Sequence, residues 1–238
     1  MAVAKRKQAK NALPREGKRR RREDSQRKIS AKLFFTLRNS VLILNPIMKT
    51  QNEVLKDLKT QIEYQKKYVE EVFYYQGEDQ LSAKISEDKW SIAQCFEHMN
   101  LSNHHYIAEI QKALPKLKST EKELKYKAGL VGSYMIKNMR PKNGQITNKM
   151  KTFKSVKPLA ERQIGAIVKA QPVFADFYSD LNAFKKIIIA LEGKNIQSAK
   201  VKSLAGSALR FKVGDALLLM LAHNDRHILQ AVNTLKNK

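Results

Sequence analysis

The sequence predicts an all-α protein: a four-helix bundle carrying a basic, disordered tail at its N-terminus. Three observations support this. Apolar residues recur at three-to-four spacing over four long stretches. No stretch shows a convincing strand pattern, and no internal repeat is present. The four stretches are joined by both short and long connectors, as bundles allow. At 238 residues and 42% hydrophobic content, the chain can build one domain with its own core. The expected boundaries are 1–47 for the tail and 48–238 for the bundle.

Residues 1–32 contain KRRRRE and few apolar side chains, a composition expected to be disordered. The next stretch, LFFTLRNSVLILNPIM, residues 33–48, is interrupted by Arg38, Asn39 and Asn45. A membrane span needs about 20 mostly apolar residues, so this is not one. NPIM is also a poor signal-peptide cleavage site. Met48 opens MKTQNEVLKDL like an ordinary start, and the expectation is that it is the true initiator, with 1–47 an over-extension of the gene model.

The formal charge of +24 directs attention to nucleic acid or an anionic membrane. Residues 1–47 hold 14 Lys/Arg and 3 Asp/Glu, against 32 and 19 in 48–238. Nearly half of the excess therefore lies in a fifth of the length, and the remaining lysines are scattered over helical faces. A nucleic-acid-binding protein using its basic surface and tail is the alternative function, but no reading motif or aromatic platform accompanies the charge. A membrane-surface protein anchored through 18–47 is a third reading, and it falls with the tail if Met48 is the start. A single cysteine, Cys95, excludes an internal disulfide and a multi-cysteine zinc site, and fits a cytoplasmic protein.

Helix one is expected over 49–76, with Val54, Leu58, Ile62, Tyr68, Val72 and Tyr75 on one face and Gly77 ending it. Helix two is expected over 89–114, with Ser86 as N-cap and Pro115 as stop; Trp90 is read as core packing at its start. Residues 116–170 read as partly helical in KSTEKELKYKAGLVGSYMIKNM and mostly loop in RPKNGQITNKMKTFKSVKP. A loop this long is often functional, for example as a lid, or else a simple crossover. Helix three is expected over 171–192, with Pro172 in its first turn and Gly193 as C-cap. KVKSLAGSALRFKVGD reads as a connector, with Asp215 at or just inside the start of helix four, 213–236.

Helix four contains LAHNDRHILQ, residues 221–230. At about 100° per residue, His227 lies within about 60° of the centre of the apolar face, and His223 about 40° further round. An i, i+4 pair stacks two imidazoles that can share one ion. A third ligand is sought on helix two. His98 and His105 lie on one flank of its apolar stripe and His104 on a more polar face; periodicity does not choose between His98 and His105.

WSIAQCFEHMN, with Trp90 eight residues before His98, resembles the first signature of the DinB/YfiT-like superfamily. HNDRHILQ resembles its last-helix signature, HxxxH followed by a glutamine, here Gln230. KTFKSVKP and FKVGDALLLMLAHNDRH also resemble that family, and the similarity covers roughly 48–238. The resemblance implies a four-helix bundle and a divalent ion, zinc or nickel, held by His98, His223 and His227. It implies a metal-dependent transferase or hydrolase acting on a small molecule, with low-molecular-weight thiols among the substrates used by some members. A homodimer is the assembly considered.

Three neutral imidazoles leave an ion its full charge and an open position, a catalytic layout. In HExxH zincins the residue after the first histidine is a glutamate acting as base; here it is Asn224. Asp225 lies about 200° round the helix from His223 and points elsewhere, and the angle of Glu97 suits the polar face. That absence favours chemistry in which a metal activates the nucleophile, such as a bound thiolate, over peptide hydrolysis. Gln230 is read as a hydrogen-bonding residue that orients a ligand. Cys95 is read as a small core residue rather than a soft ligand, and Arg226 as part of a solvated face rather than an anchor for an anionic substrate.

Overall fold

The computed structural model describes residues 49–163 and 166–237. The readings of 1–47 as a tail or anchor, and of Met48 as initiator, lie outside them. Four long helices make up the frame: α1 (Gln51–Phe73), α3 (Ile92–Ala113), α6 (Ala170–Ala190) and α7 (Val213–Lys236). Shorter helices are α2 (Glu78–Ser82), α4 (Leu130–Met139) and α5 (Leu159–Arg162). The bundle closes in the order α1, α6, α3, α7, so that α3 and α7 are neighbours. None of the described helices is long and apolar enough to cross a membrane.

Local chemistry sets the helix starts. Thr50 and Glu53 form a capping box on α1: the Glu53 amide donates to the Thr50 hydroxyl at 3.3 Å, and the Thr50 amide to the Glu53 carboxylate at 2.7 Å. Helix α1 ends at Phe73, earlier than expected, which leaves Tyr75 exposed instead of on the buried face. Gly77 does not terminate α1; it caps α2. The cap of α3 is Ser91 rather than Ser86, because Gln94 completes a second box with amide-to-side-chain bonds of 3.1 and 2.8 Å. Pro172 sits in the first turn of α6, and Gly193, with φ of 71°, turns the chain away just past its end.

The core is layered with Phe96, Phe177, Phe184, Ile188 and Leu217, all essentially inaccessible. Phe96 packs at 4.2 Å from Phe174 and 5.1 Å from Phe177, ring centre to ring centre, tying α3 to α6. Helix α7 is the most enclosed element, with every residue from 213 to 229 buried.

One expected connector differs, and another gains definition. Lys200–Ser203 and Gly206–Lys212 form an antiparallel hairpin, β1 and β2, where the sequence suggested only a linker. Its buried apolar residues are one cross-strand pair, Val201 and Phe211, so alternation is too short to register as a pattern. In the 116–170 segment the helical part expected within KSTEKELKYKAGLVGSYMIKNM is α4, and it packs against α7. Asp215, at the third position of α7, clamps it there: Tyr126 donates its hydroxyl hydrogen to Oδ1, and the Gly129 amide donates to Oδ2 at 3.0 Å. Further along, Asn143 and Gly144, with φ of 48° and 72°, make a tight turn closed by paired 2.9 Å bonds between Lys142 and Gln145.

Gly132 is the closest approach of α4 to that clamp. A Cβ there would stand 2.5 Å from Asp215 Oδ2 and 2.6 Å from its Cγ. Gly132→Ala is therefore expected to lower stability by about 1–3 kcal/mol in urea denaturation, from overpacking against a buried carboxylate.

On the far side, Asp180 of α6 is buried and meets His104 Nε2 of α3 at 3.1 Å. Burial pushes its carboxyl up to about 6, against the pull of His104. The folded chain thus holds a proton that the unfolded chain releases nearer 4, so this group's contribution to stability falls as pH rises from about 4 to about 6. Asp180→Asn should remove that decline, seen as a stability difference from the parent protein that grows across the same pH window.

Candidate metal centre

The α3–α7 seam brings three histidines together. His98 comes from α3; His223 and His227 stand one turn apart on α7. All three are buried. Their ring centres are 4.9 Å apart for His98 and His223, and 4.5 Å for each of the pairs made by His227. One ring nitrogen from each lies within 4.8 Å of the others. Among the described residues, this is the group of histidine, cysteine and carboxylate side chains close enough to hold one ion.

Hydrogen bonds fix how the rings present their nitrogens. The Val156 carbonyl lies 2.6 Å from His98 Nδ1, and because a carbonyl only accepts, that nitrogen carries the hydrogen. His98 Nε2 is then a lone pair, and it faces His223 Nε2 at 3.0 Å. His227 Nδ1 is 2.9 Å from Gln230 Oε1, which leaves Nε2 of that ring as its lone pair. Oxygen partners behind ligating imidazoles are the usual way such rings are oriented.

Burial lowers the pKa of His98, and it pushes His223 and His227 well below the ordinary histidine value, with the neighbouring rings and Arg226 adding to the effect. The cluster is therefore neutral near pH 7, the state in which imidazole binds a metal. Two nitrogens each about 2.1 Å from a shared ion stand about 3.0–3.4 Å apart, depending on the angle between them. The observed 3.0 Å approach of His98 and His223 falls at the close end of that range. The donor set thus fits a divalent ion.

The cluster lies on the wall of a cavity of about 630 Å³, a size suited to a small molecule. Trp90 lines it, half-buried, with its ring 4.9 Å from His98 and 6.0 Å from His227, and its indole N–H donates to Glu161. It faces the histidines instead of packing in the core, a placement the sequence did not reveal. The 116–170 segment forms the opposite wall through α4 and residues 146–156. Glu161 and the Val156 carbonyl were also missed; a backbone carbonyl leaves no signature in a residue pattern.

Other candidates lie elsewhere. His104 pairs with Asp180, and His105 Nε2 meets the Lys202 carbonyl at 3.1 Å. Cys95 is fully buried in the core, its thiol pushed up by desolvation. Glu97 accepts the Leu159 amide at the start of α5. Asn224 and Asp225 turn towards α1: Gln61 and Gln65 each donate to the Asp225 carboxylate at 2.7 Å, and Asn224 reaches Gln65 at 3.4 Å. Arg226 is not on a solvated face. It is 7% exposed and lines the cavity, because residues 146–156 cover what would otherwise be the outer side of α7.

A sequence model of the DinB superfamily matches residues 58–231, a span that includes all three histidines. The chain belongs to the DinB superfamily. Comparison with curated proteins and with solved structures gives no significant match. As a DinB protein with three clustered, buried histidines, the chain is compatible with metal binding.

Because Asp225 is tied to α1, its role is structural. Gln65→Leu removes a donor from that buried carboxylate and another from the Leu221 carbonyl, which Gln65 reaches at 2.9 Å. The expected loss is about 1–3 kcal/mol in urea denaturation, from one buried carboxylate oxygen left without its donor while Gln61 still serves the other.

Proposed function

We propose that this DinB protein is a metal-dependent enzyme that binds a divalent zinc or nickel ion through His98, His223 and His227 and acts on a small molecule held in the adjoining cavity. The observation that carries this reading is the convergence of three buried, neutral imidazoles at the wall of that cavity. Such an ion would supply a Lewis acid that lowers the pKa of a water or thiol.

The chain's own residues prepare the site for that chemistry. Val156 and Gln230 hold the His98 and His227 rings in register through their Nδ1 atoms. Trp90 lies against two of the rings, 4.9 Å from His98 and 6.0 Å from His227. No carboxylate belongs to the cluster among the described residues, and the neighbouring acid, Glu161, is engaged by the Trp90 indole N–H and Lys157. Transfer of a low-molecular-weight thiol, which ionises more readily than water, suits it better than peptide hydrolysis.

The test is elemental analysis of the full chain purified in added zinc or nickel. Near-stoichiometric metal is expected, and each of His98→Ala, His223→Ala and His227→Ala should lose it while keeping a helical circular dichroism spectrum. Metal-free parent protein would overturn the reading.

Gln230→Leu removes the acceptor behind His227. It should weaken metal affinity about 10–100-fold by competitive chelator titration, with little change in fold.

A further inference from the structure

Arg226 presents an unusual balance of charge. It is 7% exposed, and a guanidinium stays protonated inside proteins. Its Nη2 donates to the carbonyl of Asn148, a neutral acceptor. Its Nη1 is buried and has no hydrogen-bond partner among the described residues. No carboxylate of the described residues forms an ion pair with it; the nearest acid in sequence, Asp225, is held by Gln61 and Gln65 on α1. A buried cation left this way costs several kcal/mol unless an anion reaches it.

The cavity explains where that anion would come from. Arg226 lines it together with His223 and His227. Lys89, Lys149 and Lys151 also lie on its walls, against a single acidic lining residue, Asp88. Asp88 itself is exposed and accepts from the Ser86 hydroxyl at 2.6 Å. The rest of the wall is mainly apolar, with Met135, Met139, Met150 and Phe153 supplied by the 116–170 segment. Methionines adapt their shape to a ligand and add no competing hydrogen-bond donors.

We infer that Arg226 is the substrate-anchoring residue of this site and that its ligand is a small monocarboxylate with an apolar body, the carboxylate paired with the Arg226 guanidinium and the body against the methionine wall. This rests on the reading of the cavity as the substrate pocket. One free guanidinium nitrogen matches one carboxylate: the pair is strong and charge-assisted, and it neutralises the buried charge. The second negative charge of a phosphate would have to be met by Lys89, Lys149 or Lys151, all of them exposed, rather than by a buried donor. The carboxylate would thus fix the orientation of the molecule, leaving its other end free to reach the histidine cluster.

The test uses the full chain stripped of metal by chelator, so that binding of a carboxylate to an ion plays no part. The probes are 4-phenylbutyrate and its neutral isostere 4-phenylbutanamide, read by the fluorescence of Trp90, the chain's single tryptophan, which lines the same cavity. The carboxylate is expected to bind at least tenfold more tightly than the amide, and Arg226→Gln to abolish that preference while leaving amide binding within about twofold. Equal affinity of the two probes in the parent protein overturns the inference whether or not the variant folds. So does a preference that survives in a folded Arg226→Gln, or tighter binding of 3-phenylpropylphosphonate than of 4-phenylbutyrate. Failure of the metal reading looks different: elemental analysis finds no ion while the carboxylate preference persists.

Discussion

An imidazole buried in a helical seam needs partners for its nitrogens, since unsatisfied polar groups in a dry interior are costly. The α3–α7 contact sets that requirement here. Two oxygens are supplied from outside the cluster, the Val156 carbonyl and the Gln230 side chain, and both meet Nδ1 atoms. The remaining nitrogens converge on one another, and His223 Nδ1 is left without a partner. Other parts of the site follow from this arrangement. Val156 must be delivered by a segment far along the chain, so the long connector has to fold back over α7. Once there, it builds the far wall of the cavity and covers Arg226.

The frame was legible in the sequence, because four long apolar stripes with breaks at Pro115 and Gly193 leave little choice of architecture. The histidine pair on α7 was also legible, since four-residue spacing on a helix fixes its geometry. Periodicity could not choose between His98 and His105, which share a flank; the resemblance named His98, and the structure places it, not His105, beside the α7 pair. Less visible was anything that depends on tertiary placement. The β hairpin buries a single apolar cross-strand pair. Trp90 looks like a core residue in any one-dimensional reading, yet it faces the cavity. The burial of Arg226 depends on residues some eighty positions away.

The polar residues next to the cluster show how a helix separates tasks by angle. His223 and His227 look towards α3, whereas Asn224 and Asp225 look towards α1. The carboxylate closest in sequence to the histidines is therefore held away from them by two glutamines. This keeps a negative charge out of the cluster and lets the positive charge of Arg226 stand beside it uncompensated.

Helix α7 has no solvent-facing stripe over residues 213–229. An amphipathic surface helix can drift in sequence along its wet face at little cost, but a helix enclosed on every side cannot. Every position in HNDRH answers to a neighbour on another element, so change there is expected to occur in compensating pairs, Asp225 with Gln61 or Gln65, and Arg226 with the segment around Asn148. Variation among relatives should then appear as correlated substitutions between distant elements, with α7 recording the shape of everything packed around it.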